Sequence, residues 1–395
     1  MTVLFVSNVY PPKVYGGAEL STHALATGIA KTGRRVAVLT LTDGGPAEQA
    51  HEDGVDVFRV PAALPYWPFE GGGRPVHKKL AFHLWDNANL DAAGKLKQVM
   101  DTVRPDVVST QGLMGVSALA WKVAKRPGVR VVHSIREYNL LCPKSLMYAN
   151  GKICMSQCGG CRTFTMPRSH FSKSVDAVVG NSQYALDAHT SAGYFPRAER
   201  YVVPPTIDVA KLGPRKPLYA GQGPITVGFI GRLTPEKGVE SLIDAINLLA
   251  DKPVRLLVAG KASPEYLAEL KARAVDPERV EFMGWISPKD FFARIDFLVA
   301  PSIWPEPAGR IIPEAYAHGV PVLAARAGGM PESIVEGRTG WLFAPNDAAD
   351  LARALNRAIS AEGLGGIDQD HMGELLTDRG AEVSLSRYLE IFERA

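Results

Sequence analysis

The sequence has 395 residues, 46% of them apolar, so it can fill two ordinary hydrophobic cores of about 150 to 200 residues each. Its 44 Lys and Arg residues nearly balance its 41 Asp and Glu residues, and the formal net charge is only +3. This balance excludes a nucleic-acid-binding surface spread over the whole molecule, and any bound anion is expected to be held locally.

The N-terminal segment, MTVLFVSNVYPPK, has no cluster of basic residues before its apolar run. That run is far shorter than the roughly 18 residues that would span a bilayer. The segment therefore has the features of neither a signal peptide nor a membrane span, and we expect a cytoplasmic protein.

The first half of the chain alternates apolar runs with helical patterns. The run Thr2–Ser7 predicts a strand buried on both faces, and a helical pattern follows from Ala18 to Lys31. Further predicted strands are Arg35–Leu41, Val55–Val60, Asp106–Thr110, Val129–Ser134 and Ala177–Gly180. This alternation predicts an α/β fold with a doubly wound parallel sheet.

A stretch rich in proline and glycine predicts a linker over residues 206–224. A second series of predicted strands follows it: Ile225–Ile230, Val254–Ala259, Val280–Phe282, Phe297–Pro301 and Val320–Ala324. We therefore predict Rossmann-like domains over residues 1–205 and 225–378, and a last helix within residues 379–395 that returns to the first domain. Two such domains would face each other across a cleft, with ligands at the carboxyl ends of the strands.

The predicted strand Ile225–Ile230 leads directly into the motif GRLTPEKG, residues 231–238. Arg232 and Lys237 place two cations at the carboxyl end of this strand, next to a predicted helix start. A planar guanidinium and an ammonium group in this position suit the binding of a pyrophosphate. On spacing alone, a solvated and charged loop is an equally good interpretation.

The motif WPEPAGRIIPEA, residues 304–315, has parts that fit one ligand. Residues 309–311 are expected near the first helical turn, where free N–H groups can donate to sugar hydroxyls or phosphate oxygens. Glu306 precedes the helix and Glu314 lies within it, so each can accept from the hydroxyls of a sugar or ribose. The alternative is that Glu306 only caps the helix and Glu314 is an exposed helical acid.

Three motifs in this order, GRLTPEKG, PSIWPEPAGRIIPEA and AGGMPE, resemble the second domain of the family 4 glycosyltransferases. Gly16 and Gly17 resemble the N-terminal glycine loop of that family, and the similarity extends over nearly the whole chain. It implies the GT-B fold and transfer of a sugar, with retained anomeric configuration, from a nucleoside-diphosphate sugar (UDP or GDP). The acceptor would be a sugar or a lipid-linked sugar, as in polysaccharide or glycolipid assembly.

The resemblance also implies a role for each motif residue. Arg232 and Lys237 would hold the donor diphosphate, and Glu306 would contact the transferred sugar. The donor-binding residues implied by the resemblance are Gly16, Gly17, Gly309, Arg310, Ile311 and Glu314, with Glu314 on the nucleotide ribose. In such enzymes the leaving diphosphate accepts the proton of the acceptor, so catalysis requires no metal and no cofactor.

Two other classes of protein remain open at this point. An epimerase or hydrolase of the same fold would release product from the donor alone, so a requirement for an acceptor separates it from a transferase. A non-catalytic binding protein would bind the nucleotide sugar without turnover, and the intact cations and acids argue against it.

One part of the first half departs from the family pattern. Related enzymes often carry His-Asp before a Tyr, where this chain has Arg136 and Glu137 before Tyr138. Arg136 can hold an anionic acceptor or stabilise a phosphate, but it cannot relay a proton. We place Arg136 and Glu137 on the acceptor side, with His133 on a strand as a core or supporting histidine.

The four cysteines, Cys142, Cys154, Cys158 and Cys161, fall in one short window, with Gly159 and Gly160 between the last two. Closely spaced thiols around glycines suit a tetrahedral zinc site that fixes a long loop. Such a zinc ion would be structural, because four thiolates leave no open position for chemistry. The alternative is four reduced thiols in a loop, and a zinc-dependent nucleic-acid module is disfavoured.

The segment 61–90 combines aromatic residues with Arg74, Lys78 and Lys79. In an N-terminal acceptor domain it could bind a lipid-linked sugar or lie peripherally on an anionic membrane, at the inner face. An ordinary packed loop and helix is the competing interpretation.

Overall fold

A computed structural model describes residues 1–69, 74–149, 151–207, 215, 217–219 and 223–394. The chain divides into two compact units. The first unit consists of Met1–Met147, Cys154–Thr206 and Ala381–Ala395, and the second consists of Tyr148–Ile153 and Ile207–Gly380. Most of the linker predicted over residues 206–224 lies outside the described residues, as do residues 70–73 and 150 of the aromatic and cysteine segments.

In chain order, the strands are β1 (Thr2–Ser7), β2 (Arg35–Thr42), β3 (Glu48–Glu52), β4 (Val55–Pro61), β5 (Val107–Gly112), β6 (Arg130–Ile135), β7 (Tyr148–Ala149), β8 (Lys152–Ile153), β9 (Ala177–Gly180), β10 (Glu199–Val202), β11 (Ile225–Ile230), β12 (Val254–Ala259), β13 (Val280–Gly284), β14 (Phe297–Ala300), β15 (Val322–Ala325) and β16 (Gly340–Phe343).

The α-helices are α1 (Gly17–Lys31), α2 (Val76–Trp85), α3 (Leu90–Val103), α4 (Leu119–Ala124), α5 (Gly159–Phe171), α6 (Gln183–Ser191), α7 (Val239–Leu248), α8 (Pro264–Arg273), α9 (Pro288–Phe292), α10 (Ile311–Ala317), α11 (Ala348–Ala358), α12 (Ala361–Gly366), α13 (Gln369–Thr377) and α14 (Ala381–Glu393). Within the described residues, no helix combines the length and the apolar character needed to cross a membrane.

The first unit contains an eight-stranded sheet in the order β10-β9-β6-β5-β1-β2-β4-β3. The pairs are parallel except for β3, which runs antiparallel to β4 at one edge. Because β1 and β2 extend the sheet in one direction and β5 and β6 in the other, the strand order reverses between β1 and β5. In open α/β sheets such a switch point opens a crevice at the carboxyl ends of the strands.

The second unit contains a six-stranded sheet in the order β13-β12-β11-β14-β15-β16. All of its pairs are parallel, and the order is that of a Rossmann fold, with the switch point between β11 and β14. The strands are short apolar runs with most of their side chains buried, because helices cover both faces of a parallel sheet. The predicted α/β architecture of two Rossmann-like halves is confirmed.

Helix α14 packs against the sheet of the first unit. Its Tyr388 hydroxyl lies 3.0 Å from the Ser134 hydroxyl, and the Arg130 guanidinium donates to the Ile391 carbonyl at 2.8 Å. The Phe392 ring contacts Phe5 of β1 with 6.2 Å between centroids. The last helix of the chain therefore completes the core of the unit that contains the N-terminus.

Candidate functional site

A cavity of about 210 Å³ lies in the second unit, where β11 and β14 end on either side of the switch point. Its lining includes the predicted site residues Arg232, Lys237, Glu306, Gly309, Arg310 and Ile311. Glu314 does not line the cavity. Two motifs about 70 residues apart in sequence thus meet at one place, because the sheet order makes β11 and β14 neighbours.

The centre of this site is an ion pair between the Lys237 ammonium and Oε1 of Glu306. The same oxygen accepts from the Ser302 hydroxyl at 2.9 Å and from the Trp304 indole N–H at 3.1 Å. The Lys237 ammonium also lies 5.4 Å from the centroid of the Trp304 ring. Within the described residues, no hydrogen bond is made to Oε2 of Glu306, so this oxygen can still accept one from a ligand.

Two glycines let the loops of the site approach closely. Gly238 has φ +70°, and a Cβ there would lie 2.1 Å from the Pro301 carbonyl oxygen. Gly328 has φ +64°, and a Cβ there would lie 2.1 Å from the Glu306 carbonyl oxygen. Only glycine fits both the backbone conformation and the available space. The glycine of the AGGMPE motif therefore supports the loop that carries Glu306.

The remaining cations of the site differ in their contacts. Arg232 is exposed and makes no hydrogen bond or ion pair within the described part of the chain. Arg310 immediately precedes α10 and donates to Glu314, one turn later, at 3.0 Å. The Arg310 and Glu314 side chains are 33% and 24% exposed, so Glu314 is not the freely solvated helical acid of the alternative interpretation.

Ser302 and Trp304 were missed by the sequence reasoning, although both donate to Glu306. Ser302 is buried and Trp304 is partly buried in the loop that follows β14. The sequence contained a signal for both residues. Ser302 and Trp304 carry side-chain hydrogen-bond donors and lie four and two positions before the predicted site acid Glu306. A carboxylate fixed by several donors keeps its geometry without a ligand.

Gly16 and Gly17 begin α1 in the first unit. The Gly16 N–H donates at 2.9 Å to Oε2 of Glu19, whose side chain is largely buried. Glu19 was not among the predicted residues, but the spacing of an acid three positions after the helix cap is a known start signal. The backbone at Gly16 is therefore fixed by a side chain in the first turn of α1, the helix that follows it.

Of the three residues predicted on the acceptor side, His133 lies within β6, and Arg136 and Glu137 directly follow its end. The Arg136 guanidinium donates to the Gln111 side chain at 2.9 Å. Enclosure by the protein raises the pKa of Glu137 to about 7, and the nearby Asp86 and Glu19 carboxylates add to this shift. Glu137 is therefore partly protonated near neutral pH, which is unusual for a carboxyl group.

His133 is buried within the first unit. Its Nδ1 lies 2.8 Å from the Thr110 hydroxyl, and its ring packs against Trp121 and Phe195 with centroid distances of 5.0 and 5.5 Å. Burial lowers the pKa of His133 to about 3, so the ring is neutral at physiological pH. A neutral, enclosed imidazole supports its strand by packing.

The four thiols lie in one region of the first unit. Cys142 is buried, Cys158 is exposed at the N-cap of α5, and the Cys161 N–H donates to the Cys158 sulfur at 3.4 Å. Desolvation raises the pKa of Cys161 to about 12, and the neighbouring Cys158 and Cys142 thiols contribute. Among the described residues, no group of three or more His, Cys, Asp or Glu side chains has an arrangement that could hold a metal. The zinc site stays a prediction.

Metal analysis of the purified protein tests that prediction. If the four thiols hold a structural zinc ion, we expect about one equivalent of zinc per chain and its loss in Cys154→Ser, because each thiolate supplies one of four bonds. Ser156→Ala, a substitution in the same loop, should keep the metal. A wild-type protein without zinc, purified without chelator, would show that the loop contains reduced thiols.

Two family models together match most of the chain. The first, "Glycosyl transferase 4-like domain", matches residues 16–206, and the second, "Glycosyl transferases group 1", matches residues 224–361. An uncharacterised 42.6 kDa protein in the cps region of Klebsiella pneumoniae is 32% identical over 84% of this chain and 87% of its own length. The chain belongs to the family 4 glycosyltransferases. The resemblance noted in the sequence is confirmed. That the chain falls in a subgroup of this family with a four-cysteine loop in the N-terminal domain stays a prediction.

A further curated relative and two solved structures are also similar to the chain. Glycogen synthase of Mycobacterium tuberculosis is 27% identical over 91% of this chain and 86% of its own length. Anabaena HepE, solved in complex with UDP and glucose, has a TM-score of 0.70 at 21% identity, covering 100% of this chain and 99% of the other. Sucrose-phosphate synthase from Thermosynechococcus elongatus has a TM-score of 0.74 at 16% identity, covering 100% and 98%. These glycosyltransferase structures confirm the GT-B fold of the chain.

Proposed function

We propose that this family 4 glycosyltransferase moves a sugar from a nucleoside-diphosphate sugar to an acceptor hydroxyl, retains the anomeric configuration and uses no metal in catalysis. The observation that carries this proposal is the arrangement of Glu306 beside Lys237 at the β11/β14 switch point. One carboxylate oxygen of Glu306 accepts from three donors, and the other is available to a ligand. A rigid acid beside a cation suits a polyhydroxylated, anionic ligand.

The donor diphosphate is assigned to Arg232 and Lys237. Arg232 is exposed at the cavity and has the planar fork that binds phosphate oxygens in pairs, and Lys237 supplies a compact charge. The backbone of residues 309–311 lines the same cavity and can donate to phosphate or sugar oxygens. Glu314, held by Arg310, is assigned to the ribose hydroxyls.

Glu306 is assigned to the transferred sugar through Oε2. In the transfer step, the bond between the anomeric carbon and the diphosphate oxygen breaks, and a bond from that carbon to the acceptor oxygen forms on the same face. The proton of the acceptor hydroxyl passes to the leaving diphosphate oxygen. Lys237 and Arg232 stabilise the negative charge that develops on the diphosphate, so the protein contributes positioning and electrostatics.

Acceptor binding is assigned to residues 1–205, with Arg136 and Glu137 on the acceptor side and His133 as a supporting residue. Donor binding is assigned to residues 225–378. Gly16 and Gly17 are assigned to binding of the donor. UDP or GDP is the proposed nucleotide, since the similar HepE was solved with UDP and glucose. The likeness to glycogen synthase supports a sugar acceptor in polysaccharide assembly. A lipid-linked sugar acceptor in glycolipid assembly, and a location in the cytoplasm or peripherally at the inner membrane face, are part of the same proposal without support from that likeness.

A panel of donors tests this proposal directly. We expect one of the UDP, GDP, ADP or TDP sugars to raise the melting temperature, because a ligand at 100 times its Kd stabilises the native state by about 2.7 kcal/mol. The same donor should be turned over slowly in the presence of EDTA. Arg232→Ala and Glu314→Ala should lose most of the thermal shift.

The matched control is Arg353→Ala, which removes an arginine 67% exposed on α11 of the same unit, and it should keep the shift. If no donor stabilises the wild-type protein, the diphosphate assignment is wrong. If a donor binds and is hydrolysed at the same rate with every acceptor tried, the chain is a hydrolase of the same fold.

A further inference from the structure

A cavity of about 260 Å³ lies in the first unit, at the carboxyl ends of β1 and β2. Its walls are the loop after β1, the end of β2 and parts of β3 and β4. The loop continues from Lys13, which lines the cavity, to Gly16 and Gly17, which are assigned to binding of the donor. The residues of this cavity have no role in the transfer step proposed above, although ligands in open α/β sheets bind at this edge.

The charges in this cavity balance. Arg59 donates to both carboxylate oxygens of Glu52, at 2.9 and 2.8 Å. Glu48 lies directly opposite Arg59 in the β3–β4 pair, so both side chains are on the same face. Glu48 and Lys13 are exposed and form no ion pair within the described part of the chain. An anionic ligand would meet Glu48 and a cationic one Lys13, whereas an uncharged ligand with many hydroxyls can use both.

Two hydroxyl groups of the cavity wall lack a partner among the described residues. Thr40 is 2% exposed, and its hydroxyl makes no hydrogen bond there. Tyr10 is also buried, and burial and the nearby Asp53 carboxylate raise the pKa of Tyr10, so its hydroxyl keeps its proton and can donate. An unpartnered buried hydroxyl destabilises the folded protein unless a ligand or a water molecule supplies the bond.

An aromatic cluster adjoins the cavity. The Lys13 ammonium lies 5.8 Å from the centroid of the Trp67 ring, and the Trp67 indole N–H donates to the Tyr15 hydroxyl at 3.2 Å. The Tyr15 ring stacks on Phe69 with 5.6 Å between centroids, and Tyr15 is still 43% exposed. The C–H groups of a sugar ring are weakly positive and pack on the negative face of an aromatic ring. Tyr15 therefore offers an apolar contact for a sugar beside the polar groups of the cavity.

We infer that this cavity and Tyr15 form a second acceptor subsite, which binds an uncharged sugar unit of an oligosaccharide or polysaccharide chain. The inference rests on the proposed function for the other end of the acceptor, which is assigned to Arg136 and Glu137. These residues follow β6, and Arg136 donates to Gln111 of β5.

The strand order then sets the length of the acceptor. β6 and β5 are three and two positions away from β2 in the sheet. Two to three strand spacings correspond to roughly 10 to 14 Å. A single sugar ring is too short to contact both places, so the acceptor is a chain of two or more sugars.

Saturation-transfer NMR of the full chain tests the subsite without donor or turnover. The probes are the neutral trisaccharides maltotriose, cellotriose, laminaritriose and mannotriose, with trigalacturonate as the anionic comparison. We expect at least one neutral trisaccharide to bind at millimolar concentration and trigalacturonate to bind more weakly. Tyr15→Ala should weaken this binding up to about tenfold, because the stacking contact is lost. Glu48→Ala should weaken it at least about tenfold, because a charged hydrogen-bond acceptor is lost.

The matched control is Glu382→Ala, which removes an exposed acid at the start of α14 in the same unit. It should bind the trisaccharide as the wild type does. The inference is overturned if no neutral trisaccharide binds, if trigalacturonate binds more tightly, or if both subsite variants bind like Glu382→Ala.

Transfer assays test whether the cavity serves the acceptor. Tyr15→Ala and Glu48→Ala should raise the KM for an oligosaccharide acceptor about tenfold with little change in kcat, because they remove binding far from the reacting hydroxyl. An unchanged KM would overturn the acceptor role. The thermal-shift panel measures donor binding without any saccharide, so failure of the subsite and failure of the proposed function are distinguishable.

Discussion

Lys237→Ala should lower the turnover number by about 10²- to 10³-fold while the protein stays folded, a loss similar to that from removing one preorganised charge-stabilising donor. Lys237 is the cation that contacts Glu306 at the cavity. Its proposed role is to stabilise the negative charge that develops on the leaving diphosphate. In the variant, Glu306 keeps its hydrogen bonds from Ser302 and Trp304, so the loop that carries Glu306 should keep its conformation. The effect should therefore appear in kcat more than in the melting temperature.

Steady-state kinetics with the donor identified by the panel measures this effect. Lys289→Ala, at an exposed lysine in α9 of the same unit, is the matched control and should retain wild-type kcat. Glu306→Gln should also lose activity, and the double variant should lose little more than either single one, because the two residues form one ion pair. Independent, multiplicative losses would contradict a shared role, and an unchanged kcat in Lys237→Ala would remove the residue from the mechanism.

Strands with a clear signal in their own sequence could be predicted. β1, β11 and β12 are apolar runs between turn residues, and a parallel sheet buries both of their faces. β3, with the sequence EQAHE, was missed because it is a polar, mostly exposed edge strand that pairs antiparallel with β4. β16, with the sequence GWLF, was also missed, because it begins at Gly340 and glycine is depleted in strands.

The site was predicted as two motifs, and the structure adds how they combine. Spacing identified Arg232, Lys237 and Glu306 separately, but the ion pair between Lys237 and Glu306 spans 69 positions. It depends on β14 pairing directly with β11, which no local pattern encodes. The distribution of contacts on the two oxygens of Glu306 is also a tertiary property. Residue types could therefore be predicted, but their contacts could not.

Arg168→Leu should destabilise the first unit by about 3–5 kcal/mol, as expected when one member of a buried ion pair is removed. The Arg168 and Asp86 side chains are 2% and 4% exposed and lie 3.2 Å apart. The guanidinium also donates to Asn87 Oδ1 at 2.8 Å and to the Asn139 carbonyl, so it joins three segments. Without it, the Asp86 carboxylate would be buried with no cation.

The loss should depend on pH in a defined direction. Burial raises the pKa of Asp86 to about 6, and Arg168 opposes that rise. The folded state therefore binds the Asp86 proton more tightly than the unfolded chain, and stability falls as pH rises through about 4 to 6. In Arg168→Leu the pKa of Asp86 rises further, so the stability of the variant should keep falling above pH 6. Melting temperatures at pH 5 and pH 8 test this expectation. The difference in melting temperature between wild type and Arg168→Leu should be larger at pH 8.

Two comparisons isolate the cause. Adding Asp86→Asn to Arg168→Leu removes the buried charge but keeps an acceptor for the Gly115 N–H, which donates to Asp86 at 2.6 Å, so part of the stability should return. Arg326→Leu, which breaks an exposed pair with Glu336 at 3.5 Å, should cost at most about 1 kcal/mol. A loss of about 3–5 kcal/mol corresponds to a drop on the order of 10 °C in melting temperature. If Arg168→Leu melts like Arg326→Leu at both pH values, the buried pair contributes no more than a surface one.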